Sequence, residues 1–307
     1  MESNNLPLVS VFVVSYNAAD YICETLESIK AQTYQNIELI VSDDHSSDQT
    51  VNLANEWIEN NKERFVRTEL ITVDHNTGVS ANYNRAIRAC RGEWVKNVDG
   101  DDVLYDDCIE NNIKFVLENP EVNWTFSNAM LFKGRDVNNT IGEYITKEMS
   151  SFFELEASEQ FISQLKENVL PSQTCFIRLE LLRKYPYNEK YKGLEDAPMW
   201  LTLTKNGHKA YYFDKCTSYY RRDESMTSSN NRFYSPIWVE SLFSFFWNEK
   251  INYIKENNLI ETYNSHRQLI LTIELVDVLL KNKKTLFTNV IYKLLSYLIF
   301  KFAKFKL

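Results

Sequence analysis

The spacing of apolar and polar positions changes repeatedly between two periods over the first hundred residues. Residues 8–14 form a β-branched, apolar run of the kind a central strand buried on both faces requires. Asp20 then caps a helix running to about Ala31, and residues 37–41 form a second buried run ending in Ser42-Asp43-Asp44. Val51, Leu53, Ala54, Trp57 and Ile58 supply the inner face of a helix over 48–58. Residues 69–73 read as a third strand, 79–90 as a third helix and 93–98 as a fourth strand that runs directly into Asp99-Gly100-Asp101-Asp102. This alternation predicts an α/β fold built on a parallel sheet flanked by helices.

Beyond Asp102 the pattern is less regular. A helix is predicted over 106–117, strands over 122–126, 173–177 and 209–213, and helices over 179–184 and 197–205, with 132–150 left as a variable loop or strand region. After about Asn230 the chain reads as helical over 233–247 and 251–280, followed by a basic tail. The boundary falls between 225 and 235, dividing a body of residues 1–228 (halves of about 1–103 and 104–228) from a helical region 229–307.

Polar residues recur where the predicted strands end: Ser15-Tyr16-Asn17, Asp43-Asp44, Asn76 to Gly78, and Asp99 to Asp102. In open α/β sheets ligands bind outside the carboxyl ends of the strands, so these four ends predict one crevice. With 44% hydrophobic and 25% charged residues, the chain has the composition of an ordinary globular protein. A net charge of -8 argues against a nucleic-acid binder, which needs a basic footprint. The charge is uneven, because Lys281, Lys283, Lys284, Lys293, Lys301, Lys304 and Lys306 follow one another with no acid between them. Five cysteines without a C-x-x-C pair fit reduced thiols, and the polar start lacks a signal sequence, so a cytoplasmic location is expected. The four histidines are isolated and lack metal-ligand spacing.

Three aspartates in four positions repel one another when ionised, unless a divalent cation neutralises them. Carboxylate oxygens suit Mg2+ or Mn2+, and a nucleotide diphosphate would complete the coordination sphere. Gly100 permits a sharp turn and the close approach of a ligand. An acidic surface turn capping the next helix accounts for the same residues.

The four strand-end segments, in order and at this spacing, resemble glycosyltransferase family 2 over about residues 8–225. The resemblance implies a GT-A (Rossmann-like) fold with a mixed, mainly parallel sheet and a C-terminal helical extension. It implies an inverting transferase that takes a sugar from a nucleotide-sugar, with a UDP-sugar favoured. It places Asp44 on the nucleotide base, Ser15 and Tyr16 in the base and ribose pocket, Asp99 on ribose or metal, and Asp101 as direct metal ligand. Asp102 either assists or caps the next helix. Asn84 occupies the family's Arg-Asn position with Tyr83 replacing the Arg, and Lys96 either reaches phosphate or is solvated.

Gly193-Leu194-Glu195-Asp196 resembles the family's G-x-E-D segment, implying Asp196 as general base and Glu195 as an acceptor-binding or supporting carboxylate. A helix N-cap is the other reading of Asp196, and Trp200 is either an acceptor platform or core packing. Residues 219–225 resemble a Y-R-x-H-x-x-S segment in which Asp223 takes the His position, and Arg221 and Arg222 supply positive charge to a diphosphate or lie on an exposed strand end. The competing functions are a nucleotidyltransferase and a catalytically silent nucleotide- or sugar-binding domain.

From Phe287 the apolar residues follow helical spacing interrupted by lysines, too short and too charged for a membrane span. An amphipathic helix on the anionic inner face of the cell membrane is one reading. Packing on the body or on a partner in a homo-oligomer is the other. The expected acceptor is a lipid-linked or oligosaccharide hydroxyl in surface polysaccharide assembly.

Overall fold

The computed structural model of the protein describes residues 6–222 and 231–305. The first half runs β1 (Val9–Ser15), α1 (Ile22–Lys30), β2 (Ile37–Asp43), α2 (Thr50–Asn61), β3 (Arg67–Ile71), α3 (Val79–Ala89) and β4 (Trp94–Asp99), the element order the sequence predicts. Its strands are parallel in the spatial order β3-β2-β1-β4. Every residue of β1 and β2 is buried, because helices cover both faces of the sheet, and this is why both are mostly apolar; the buried Glu38 of β2 is held by Ser10 (2.5 Å) and Arg67 (2.9 Å). The register sets Ser15 beside Asp43 on one flank and Val14 beside Asp99 on the other. The polar end of β1 therefore lies between the two acidic strand ends.

The second half contributes β5 (Val103–Leu104), α4 (Cys108–Glu118), β6 (Trp124–Phe132), β7 (Thr140–Glu143), α5 (Lys147–Ser150), α6 (Ala157–Lys166), β8 (Phe176–Arg178), α7 (Leu179–Lys184), α8 (Asp196–Lys205) and β9 (Tyr211–Arg221). These extend the sheet as β4-β8-β6-β9-β5, with β7 on the edge of β6, and β8 pairs antiparallel to β4. The sheet is thus mixed, in the α/β class expected.

Two elements were hidden by identifiable causes. Helix α6 buries Gln160 and Gln164 alongside Leu165, and these polar residues dilute its apolar stripe. Gln160 is satisfied by the backbone carbonyls of Phe152 and Ala210 and the amide of Ala210. Strand β9 continues eight residues past its predicted end at Phe213, because extra residues bulge out opposite Phe126 and Asn128 and break its alternation.

The C-terminal region forms α9 (Pro236–Phe245), a π-helical turn (Phe246–Lys250), α10 (Ile251–Glu256), α11 (Ile260–Leu280) and α12 (Leu286–Phe302). The single helical stretch predicted over 251–280 is therefore broken, at Asn258, which has a φ of 51°. Helices α9, α10 and α11 share a core with α6 and α8 through Leu165, Tyr191, Ala197, Leu201, Phe245, Ile254 and Ile270. Buried Lys250 donates to the carbonyls of Gln164 (2.8 Å) and Leu165 (3.3 Å), and His266 Nε2 lies 2.7 Å from the Leu165 carbonyl. The last turn of α6 is thereby capped from the C-terminal region.

Trp200 is 0% exposed and packs 5.3 Å from both Trp124 and Phe126. Its reading as an acceptor platform is corrected: the ring is core, on the inward face of α8. Trp200→Ala is expected to lower stability by about 3–5 kcal/mol, the range for a buried aromatic truncated to a cavity. A urea midpoint equal to that of the unaltered protein contradicts this.

Candidate active site

The acid cluster leaves β4 in a tight turn. Gly100 N–H donates to the Val14 carbonyl (2.9 Å), and Asp102 N–H to that of Asp99 (3.1 Å). A Cβ on Gly100 would sit 3.2 Å from the Val14 carbonyl oxygen and from the Ala18 Cβ, a tight contact for which the end of β1 must give by a few tenths of an ångström. The side chains diverge from there. Asp99, partly exposed, accepts a hydrogen bond from Tyr83 OH (2.9 Å). Asp102 is buried, its Oδ1 accepts from Arg221 N–H (3.0 Å), and its Oδ2 has no hydrogen-bond partner among the described residues. Asp101 is partly exposed, and its carbonyl accepts from Arg221 Nε (2.8 Å).

Across the crevice, Glu195 and Asp196 stand at the start of α8, with Glu195 at the cap position and Asp196 in the first turn. Asp196 Oδ1 accepts from the Ala197 amide (2.6 Å) and Oδ2 from Asn168 Nδ2 (2.8 Å). The two acidic groups act on one another electrostatically. Burial pushes Asp99 up to about 6, with Asp101 adding to the shift and Asp196 contributing. Burial, then Asp101 and Asp99, holds Asp102 well above the usual carboxylate range. Burial, then Asp196 and Asp99, does the same to Glu195. Burial raises Asp196 against the opposing pull of the Ala197 amide and Asn168.

Among the described residues no three Asp, Glu, His or Cys side chains converge closely enough to hold a metal by themselves. The donor chemistry nevertheless fits a hard cation. The donors are carboxylate oxygens, one buried Asp102 oxygen is orphaned, and Mg2+-type ions are commonly held by one or two carboxylates together with substrate phosphates.

Several predicted site residues prove to be committed elsewhere. Lys96 is not solvated: it is fully buried beneath the cluster and donates to the carbonyls of Asn97 (2.8 Å) and Gln173 (2.5 Å). Its positive charge draws down the proton affinity of Asp99 and Asp102. Arg221 is not on an exposed strand end. Its guanidinium is buried against the rings of Tyr21 and Phe132, bonds the carbonyls of Asp101 and Gly134, and pairs with Glu24 at 2.6 Å. Arg222, next along, is exposed. Asn84 is engaged within the protein: its amide donates to the Tyr187 carbonyl and Glu189, and its oxygen accepts from Tyr187 N–H, all at 2.9 Å. Asp223 lies outside the described residues.

At the end of β1 Tyr16 is exposed, while Ser15 is buried and donates to Asp43 (2.9 Å). Asp44 accepts from Thr77 N–H and Oγ1, from Gly78 N–H and from Arg85. A recess of about 430 Å³ lies alongside, lined by Asn76, Thr77, Arg85, Arg88, Glu189 and Lys192. Sequence reasoning passed over Arg85 and Asn168. Arg85 carries a sequence signal, since Asn82 and Arg85 are one helical turn apart and both bond to the β2 end. Asn168 carries none, because it reaches Asp196 from a loop.

Tyr83 fills the place of the family's Arg with a hydroxyl that supports Asp99. Tyr83→Phe removes a hydrogen bond that favours the charged carboxylate, so Asp99 should titrate above its value of about 6. A carboxyl-carbon NMR titration with an unmoved midpoint counts against this role for Tyr83.

The chain is similar in sequence and fold to known proteins. The chain is 28% identical over 228 residues to the putative teichuronic acid biosynthesis glycosyltransferase TuaG of Bacillus subtilis, covering 74% of this chain and 84% of that one. It is also 28% identical to the UDP-Glc:alpha-D-GlcNAc-diphosphoundecaprenol beta-1,3-glucosyltransferase WfaP of Escherichia coli, covering 73% and 81%. Among solved structures, S. aureus TarS 1-349 in complex with UDP-GlcNAc superposes with a TM-score of 0.60 at 22% identity, covering 84% of this chain and 72% of that one. The match to the longer TarS chain covers 43% of it. These superpositions establish the GT-A fold. The family model described as glycosyl transferase family 2 matches residues 10–183, more than half of the chain, and the protein belongs to that family of glycosyltransferases.

Proposed function

We propose that this glycosyltransferase moves a sugar from a UDP-sugar to a hydroxyl of a lipid-linked or oligosaccharide acceptor in surface polysaccharide assembly, inverting the anomeric centre. The observation that carries the reading is the placement of Glu195-Asp196 opposite the Asp99–Asp102 turn, close enough for the two groups to shift each other's proton affinity. The acceptor hydroxyl oxygen attacks the anomeric carbon, the bond from that carbon to the diphosphate oxygen breaks, and the hydroxyl proton passes to the Asp196 carboxylate. Asn168 and the Ala197 amide orient that carboxylate. Asp101 and Asp99 would hold Mn2+ or Mg2+, which supplies charge neutralisation for the departing diphosphate. Oxygen-donor chemistry supports the metal, as does the mannosyltransferase PcManGT of Pyrobaculum calidifontis, whose structure contains GDP-Man and Mn2+ and which shares the fold at a TM-score of 0.53. The donors named for WfaP and TarS support UDP, and the diphosphoundecaprenol in the WfaP name supports a lipid-linked acceptor. Ser15, Tyr16 and Asp44 line the base and ribose end, with Arg222 and Glu195 towards diphosphate and acceptor.

The inner face of the cell membrane is the proposed site of action. Helix α12 leaves Leu286, Phe287, Val290, Leu294, Tyr297 and Phe302 exposed, with Lys293, Lys301 and Lys304 nearby in the chain. Among the described residues no helix is long and apolar enough to cross a membrane. Apolar side chains flanked by lysines suit the surface of an anionic bilayer.

UDP with Mn2+ should raise the melting temperature more than GDP or dTDP, and the donor reading fails if no nucleotide does so. Asp196→Asn should keep UDP binding and lose transfer. In the unaltered enzyme, turnover should fall with acid at a pH above the ordinary aspartate value, because the base works only when ionised and burial raises its pKa. Deleting residues 285–307 should release the protein from anionic vesicles, and undiminished co-sedimentation speaks against α12 as the contact.

A further inference from the structure

The segment ending in Glu195 and Asp196 is held from two sides. On the nucleotide side, Val79 N–H donates to the Lys192 carbonyl (3.2 Å) and Ser80 Oγ to the Tyr191 carbonyl (2.9 Å). On the other side the holders come from the C-terminal helices. Gly193 N–H donates to Ser241 Oγ on α9 (3.0 Å), and Tyr191 OH donates to Glu249 in the π-helical turn (3.1 Å). Ser241 is buried, so this hydrogen bond is shielded from water.

The contact with α9 is unusually close. A Cβ on Gly193 would stand 2.9 Å from the Trp238 nitrogen and 3.0 Å from the Ile237 carbonyl oxygen, and both of these are backbone atoms that cannot swing aside. The first turn of α9 is therefore flush against the backbone of the loop, a packing that only glycine at 193 permits. Asp196 follows three residues later, at the start of α8. Trp238 is in turn stacked 6.0 Å from Tyr234, whose hydroxyl donates to Tyr292 OH on α12 (3.0 Å).

We infer that Ser241, seated against Gly193, is a positioning residue for the catalytic base: it fixes the 193–196 turn, and with it the Asp196 carboxylate, relative to the acid cluster across the crevice. This rests on the reading of Asp196 as base. Ser241 lies on α9 and not at the ends of β1, β2 and β4, to which the proposed function assigns the nucleotide. Its loss should reach the chemical step and spare donor binding. A misplacement of about 1 Å at a reacting group can cost about a hundredfold in rate.

The test uses the full chain carrying Ser241→Ala, with turnover measured on the UDP-sugar that the unaltered enzyme uses best and UDP affinity measured by calorimetry with Mn2+. The expected result is a kcat lowered about tenfold or more with UDP affinity unchanged. The acid limb of the pH profile should also move up, as a displaced Asp196 loses the Asn168 donor that helps to hold its proton affinity down. Gly193→Ala, which forces the turn and α9 apart, should lose more of kcat and likewise keep UDP binding. An unchanged kcat in Ser241→Ala overturns the inference, and so does a fall in kcat matched by an equal fall in UDP affinity. The Asp196→Asn enzyme separates the two claims. If it remains active, the base is misassigned; if it is inactive while Ser241→Ala is fully active, the base stands and the positioning role falls.

Discussion

Repulsion among carboxylates is the constraint around which this molecule is arranged. Asp99, Asp101 and Asp102 leave one strand together, and Glu195 and Asp196 face them from the start of a helix. None has the full screening of water, and the proton affinities of Asp99, Asp102, Glu195 and Asp196 are all raised. Groups whose folded pKa exceeds the unfolded value weaken the fold as pH rises through the folded pKa, which for Asp99 lies at about 6. The neighbours answer this charge one by one: Lys96 beneath the sheet end, Tyr83 on Asp99, the Arg221 backbone on Asp102, and Asn168 on Asp196. Such a site is costly for structure alone, and its oxygen donors suit the cation and diphosphate proposed for it.

The parallel half of the sheet was legible because burial on both faces writes a mostly apolar run with no period-2 alternation, as in β1 and β2. The acid turn was legible because three aspartates in four positions are chemically costly whatever the fold. What sequence could not reveal was where long polar side chains find partners. Lys96 reads as a surface lysine until the carbonyls of Gln173 and Asn97 are brought over it. Arg221 reads as a ligand-binding arginine until Glu24, far earlier in the chain, is folded against it. Asn84 lies on the expected helix yet spends its amide on Tyr187 and Glu189. Each of these depends on contacts between distant segments, to which local periodicity is blind. Trp200 shows the same limit for an apolar side chain, since both of its readings lie on the same helix and only packing separates them.

Arg221 links two parts of the site that look independent in sequence. Its backbone amide serves Asp102, and its guanidinium binds the Asp101 carbonyl, the Gly134 carbonyl and Glu24. One side chain thereby fastens the acid turn to α1 and to the segment after β6. The Tyr21 and Phe132 rings packed against it help to exclude water, which strengthens those bonds. The arginine beside it is left at the surface, so the pair divides into one residue that shapes the turn and one that faces outward.

The capping of α6 by Lys250 and His266 bears on how interchangeable the parts of this protein are. A helix end closed by its own sequence can be carried into another protein intact. Here the carbonyls of Gln164 and Leu165 are closed by side chains found some 85 to 101 residues further along. Burial brings Lys250 down to about 8 and His266 down to about 4, so both are tuned to this one seat. A chimera that exchanges the C-terminal helices for those of a relative must exchange α6 with them, or it inherits a helix with bare carbonyls in an apolar wall. The unit of inheritance is therefore α6 together with its distant cap, and the natural cut runs through the fold and not along the chain.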